Sequence, residues 1–304
     1  MNTDYPIDSK TTVFTLLLVI IFLKAWEQYI RDQGYVATMD ATKALWAEHR
    51  RNLADNDPSQ VVLTSASRGH FDFQLDEWEA MTNNRPIQLG AGGRGPAPVF
   101  ADIVENTEFN GTIVMNVTPD QFFVFPADSL FGWFRGKEYL DYYNDQTYAQ
   151  RLNHQLSYLF QPYLAFLTSD QEGDPDLKSL IASVQVPGRT PNNAPPFPRL
   201  SYVDEDRNVT MLDIIVEDTA AAAVIQRVWT HDADTINPLD SLKSEVFDFY
   251  LDNIKKFKAR GGVIIFTRNP SHGKVRELEL ITHPRSEYWD RLIEESGCPG
   301  YHFE

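Results

Sequence analysis

The feature that most constrains this chain is a short run of β-branched and aliphatic residues that stops abruptly at small polar ones. Val61, Val62 and Leu63 give way to Thr64-Ser65-Ala66-Ser67-Arg68-Gly69, after which a helical pattern carrying Phe71, Leu75 and Trp78 begins. Such a run reads as a buried parallel strand, because a strand covered on both faces has no reason to alternate apolar with polar residues. The same sequence of events recurs. Pro86–Leu89 enters a glycine-rich turn, Gly111–Val117 ends at Thr118-Pro119-Asp120, and Gly262–Thr267 ends at Arg-Asn-Pro-Ser-His-Gly. The closing Gly-Tyr-His-Phe-Glu reads as a fifth strand. Strands alternating with helices imply a three-layer α/β/α sandwich with a mostly parallel, about five-stranded sheet, whose ligands bind at the carboxyl ends of the strands.

The N-terminus carries the targeting information. Val13–Leu23 is an apolar run, with Thr15 its one polar residue, that continues past Lys24 into Ala25 and Trp26. Its acidic flank and poor cleavage site favour an uncleaved membrane anchor over a signal peptide, with Trp26 and Tyr29 at the interface; a buried core helix is the competing reading. The expected division is an anchor and juxtamembrane helix over 1–33 and an α/β domain over 34–304, with a helical and loop insertion at about 122–212. Aromatic residues at helical spacing fill the first part of that insertion, and a Pro- and Asn-rich loop, Pro187–Pro198, and a hairpin around Asp204–Asn208 follow. The chain has 43 acidic against 27 basic residues, a formal charge of −16. That balance argues against a nucleic-acid partner, since phosphate neutralisation needs clustered Lys and Arg. The single cysteine, Cys298, excludes an intramolecular disulfide and Cys-based metal motifs. Neither a metal nor a cofactor is expected: Gly90, Gly92, Gly93 and Gly95 miss the dinucleotide-binding spacing, and Pro96 removes an N–H where phosphate would need one.

A serine between a strand and a helix is ordinarily a helix cap. Here Val-Val-Leu-Thr-Ser-Ala-Ser-Arg resembles the first block of the SGNH/GDSL hydrolase superfamily, in its membrane-anchored versions of the D-alanyl transfer or acyltransferase-associated type. The segment Trp-Glu-Gln-Tyr-Ile-Arg-Asp-Gln-Gly-Tyr and the set Arg268, Pro270, Ser271, Glu277, Pro284, Arg285 and Trp289 are similar to segments of the same proteins. The resemblance implies Ser67 as nucleophile, with Ser65 standing where the family has Gly. It also implies Gly93 and Asn116 as oxyanion donors, with Ser65, Arg68, Arg268 and Ser271 lining the site.

The family's catalytic Asp-x-x-His block has no counterpart between Gly297 and Glu304. Of the seven histidines, His49 and His154 fall on helices, His231 in a loop and His302 in the fifth strand. His70 lies very close in sequence to Ser67, which leaves His272 and His283 as the first alternatives for a base. Either the sequence is a fragment or the serine lacks its usual base, and the chain as it stands is expected to be a very poor hydrolase. Two functions follow from the resemblance. One is a membrane-anchored serine esterase or O-acyltransferase acting on cell-surface glycan, on the periplasmic or extracellular side. The other is a non-catalytic accessory protein that binds glycan or a membrane acyltransferase partner.

Overall fold

The computed structural model describes residues 8–39, 41–53, 56–123, 131–167, 184, 200–230 and 243–303. The loop expected at Pro187–Pro198 and His231 lie outside them. Among the described residues the fold is α/β. Its main sheet has five strands, β1 (Val61–Thr64), β2 (Ile87–Gln88), β3 (Thr112–Asn116), β6 (Val263–Arg268) and β7 (Gly300–His302), in the order β2-β1-β3-β6-β7. All four pairings are parallel. A separate antiparallel hairpin joins β4 (Ser201–Val203) to β5 (Val209–Met211).

Register explains why the strands are apolar throughout. Val62, Ile113 and Ile264 are aligned partners on one face, and Leu63, Val114 and Ile265 form the next row on the other. The first row belongs to the larger core, with Trp46, Phe100, Tyr250, Phe257 and Leu292 from the covering helices. The second row meets Leu75, Phe73 and Trp78. Period-two alternation therefore serves two cores, so a one-residue slip would exchange their contents. Phe122 stacks on Tyr250 at 4.1 Å between ring centres, and the Tyr250 hydroxyl donates to the Phe122 carbonyl at 2.9 Å. Those contacts hold the turn after β3 against the Lys243–Ala259 helix.

The N-terminal helix, Ser9–Asp32, buries none of its residues and is long and apolar enough to cross a membrane; a signal sequence would share these features. At about 1.5 Å per residue it extends roughly 36 Å. Its last turns are fastened to the domain. The Glu27 carboxylate accepts the backbone N–H groups of Ala165 and Phe166 at 2.9 and 3.1 Å, and Arg31 donates to the Tyr163 carbonyl at 3.0 Å.

Candidate functional site at the carboxyl edge of the sheet

Because the strands are parallel, the turns after β1, β2, β3 and β6 open on one edge. Between β1 and β3 the strand order reverses direction, the place where open α/β sheets form a ligand crevice. The turn after β2 is tied to the turn after β1: the Ala91 N–H donates to the Ser65 carbonyl at 3.0 Å. The approach is so close that a Cβ on Gly90 would lie 2.2 Å from Ser65 Oγ. One on Gly69 would lie 2.6 Å from the Cβ atoms of both Ser65 and Asn116. Glycine is required at both positions to let the turns meet.

Ser67 begins the short Ser67–Asp72 helix and is half-buried, beside the turn containing Gly92 and Gly93. Gly93 takes a left-handed φ of +63°. Among the described residues the Ser67 hydroxyl makes no hydrogen bond. Ser65 is buried, and its hydroxyl likewise has no partner among the described residues. Asn116 ends β3 fully buried, with its amide donating to the hydroxyl and carbonyl of Thr267 at 3.2 and 3.4 Å and its oxygen accepting from Thr118. That side chain is thus turned across the sheet toward β6.

On the β6 side the expected lining residues converge on a carboxylate. Glu279, from the Gly273–Thr282 helix, accepts from Arg68 at 2.8 Å and from Arg268 at 2.5 Å, and takes a further hydrogen bond from Ser271. Burial alone would raise the Glu279 carboxyl; the Arg68 and Arg268 charges overcome it and hold the group below the ordinary carboxylate range. Asp120, just after β3, behaves oppositely. Burial raises it and the Glu279 charge adds to the rise, against a Gln121 hydrogen bond and the Arg68 charge. Asp72 is also raised by burial, opposed by its hydrogen bond from Asn269 at 2.7 Å.

On the β2 side a residue of the hairpin enters the edge. Arg207, 1% exposed and in the left-handed region at φ +69°, donates to the carbonyls of Gln88 at 3.0 Å and Gly90 at 2.5 Å. Burial lowers its pKa to about 10. His70 is buried against it, with Nε2 3.1 Å from the Arg207 carbonyl. Burial, and then the Arg207 charge, lower its pKa to about 3. The imidazole is neutral at physiological pH.

The sheet edge also carries a cavity of about 180 Å³ beyond β6, walled by Pro119, Phe123, Arg268, Arg276, His283 and Arg285 among others. His283 stacks on Phe123 and meets Tyr288 edge-on, with Nδ1 2.9 Å from the Thr282 hydroxyl. His272 stands exposed at the N-cap position of the Gly273–Thr282 helix without a side-chain capping bond, and His49 and His154 sit on helices, as their spacing suggests.

Ser65, Ser67, the Gly93 turn and Asn116 therefore gather where β1, β2 and β3 end, and Arg68, Arg268 and Ser271 gather around Glu279. Sequence reasoning missed Glu279, Asp120 and Arg207. Asp120 carried a usable signal, being an acid just past the end of a buried strand; Arg207 carried none. In comparisons with known proteins, no family model, no curated protein and no solved structure matches the chain.

Proposed function

We propose that the chain is a membrane-anchored SGNH-like serine enzyme, an esterase or O-acyltransferase, in which Ser67 attacks an acyl ester of a cell-surface glycan. The observation that supports this reading is the position of Ser67 directly after the first central strand, at the reversal of strand order, with the Gly92-Gly93 turn beside it. In the attack, the hydroxyl oxygen bonds to the acyl carbon while its proton passes to a base, and N–H donors steady the oxyanion. The ester C–O bond then breaks as the base returns that proton to the departing alcohol, and water or an acceptor hydroxyl takes the acyl group from Ser67. The Gly93 turn is the candidate donor. The Asn116 amide, already engaged by Thr267, would have to turn to contribute.

A second reading is a non-catalytic protein of the same architecture that binds glycan or a membrane acyltransferase. It is favoured by the absence, among the described residues, of any hydrogen bond from the Ser67 hydroxyl to an imidazole or carboxylate. Treatment of the full chain in detergent with a fluorophosphonate, beside Ser67→Ala, tests the enzyme reading. Slow labelling that maps to Ser67 and vanishes in the variant is the expected result, since no base touches the hydroxyl among the described residues. A folded chain that is not labelled, yet retains an acetylated glycan on a column, would transfer support to the second reading. His272→Ala and His283→Ala then identify which histidine, if either, serves as base.

A further inference from the structure

The helix Tyr148–Tyr158 and the turns that continue it are two-faced in an unusual sense. His154 and Tyr158 turn inward, meeting edge-on at 5.0 Å, and Tyr158 packs on the small core of Met39, Leu45, Val203 and Val209. On the opposite side Tyr148, Leu152, Leu156, Leu159, Phe160 and Tyr163 are 43% to 81% exposed. Tyr148, Leu152 and Leu156 fall four residues apart on one face of the helix, and the exposed Leu159, Phe160 and Tyr163 extend this apolar stripe through the turns that follow. A stripe of this size is not an ordinary feature of a water-exposed surface.

Its location identifies what covers it. Tyr163, at the end of the stripe, is bonded through its carbonyl to Arg31, and the next residues but one, Ala165 and Phe166, are bonded to Glu27. Glu27 lies four residues past Leu23, where the apolar run of the N-terminal helix ends, a rise of only about 6 Å. Trp26 and Tyr29, both exposed, mark the same level, where aromatic rings settle at a membrane surface. The intervening residues of the stripe helix, Gln150, Arg151, Asn153, Gln155 and Ser157, carry one formal charge, so the contact would rest on apolar burial rather than on attraction to anionic lipid.

We infer that this stripe lies in the headgroup and upper acyl region of the same bilayer that the N-terminal helix enters, so that the domain is seated on the membrane at two places. The inference rests on the reading of Ser9–Asp32 as a membrane helix. A helix so placed buries its apolar face some 5–10 Å into the boundary region.

The test uses the full chain with Cys298→Ala, reconstituted into phosphatidylcholine liposomes containing a doxyl-labelled lipid as quencher. Single labels are placed by Leu18→Cys, Leu156→Cys, Phe160→Cys and Tyr301→Cys, the last on β7 at the sheet edge opposite the hairpin side. The expected result is quenching at 18, 156 and 160 that exceeds that at 301 roughly threefold or more and is unchanged in high salt, as apolar insertion requires. Quenching at 18 with 156 and 160 no different from 301 would overturn the seating while leaving the anchor intact. Absence of quenching at 18 would overturn the anchor itself. Shielding of 156 and 160 only in native membranes, and not in liposomes, would show a protein partner on the stripe and overturn the lipid assignment.

Discussion

The two flanks of the Ser67 turn solve the burial of positive charge in different ways. Toward β6, two guanidinium groups, Arg68 and Arg268, share the Glu279 carboxylate. Toward β2, among the described residues, Arg207 is buried against carbonyl oxygens with no carboxylate beside it; on each flank one guanidinium nitrogen, Nη1 of Arg207 and Nη1 of Arg68, has no partner among those residues. In the first case opposite charges offset much of the desolvation cost, and the carboxyl is held ionised. In the second only dipoles do so, which is why the Arg207 pKa falls to about 10 instead of rising. The ion-paired flank depends on charge, whereas the Arg207 flank depends on shape and on where the carbonyls point.

That difference can be broken most forcefully at Glu279. Glu279→Gln removes the carboxylate that the half-buried Arg68 and the buried Arg268 share, and is expected to destabilise the domain by about 3–5 kcal/mol, read from denaturant midpoints at constant m-value. A loss below about 1 kcal/mol would show that solvent already screens the cluster.

Acid titration separates the flanks by pH window. His70 has a folded-state pKa depressed to about 3 against an ordinary 6.5. The unfolded chain therefore takes up a proton that the native state refuses. Stability is fully present above 6.5 and falls as pH drops toward 3, by about 1.4 kcal/mol per unit at most. Glu279, also depressed, loses its contribution only below the ordinary carboxylate range, the sign being the same and the window lower. Burial also lowers His49 and His154, which act with the same sign in the same window, so in His70→Gln the loss between about pH 6 and 5 should shrink but not vanish, while the lower limb remains. If the upper limb is unchanged in the variant, the buried His70 imidazole does not contribute to it.

Arg207→Met should cost less than the Glu279 change, about 2–3 kcal/mol, because it removes two hydrogen bonds from a charged donor without leaving an unpaired charge behind. The smallest effect belongs to Ser65→Ala. The Ser65 hydroxyl is buried without a partner among the described residues, so its removal should change stability by less than about 0.5 kcal/mol or raise it. A loss of 2 kcal/mol would reveal a hydrogen bond made by a buried water.

What was legible in the sequence is what local pattern encodes. Val61–Leu63, Gly111–Val117 and Gly262–Thr267 announced central strands because apolar, β-branched runs bounded by polar turns have few other uses. The hairpin was legible from Asp-Glu-Asp-Arg-Asn, though that run reads as solvated surface. Nothing in it shows that Arg207 turns inward to the end of β2, since the pairing spans 119 positions and depends on a left-handed residue with no glycine. Arg68 and Glu279, 211 positions apart, pose the same difficulty. Asn116 illustrates the finer limit: its place at the end of β3 followed from the strand, whereas its amide direction was decided by Thr267 on the neighbouring strand.

The bonds from Glu27 and Arg31 to the 163–166 backbone change what kind of mechanical element the N-terminal helix is. A flexible linker of about ten residues has a root-mean-square span of roughly 17–19 Å and lets its domain tumble over a wide cap of space. Fastened at its last turn, the helix is a strut instead of a tether. The open edge of the sheet is then held at a set height and tilt relative to the helix axis, so its reach is fixed.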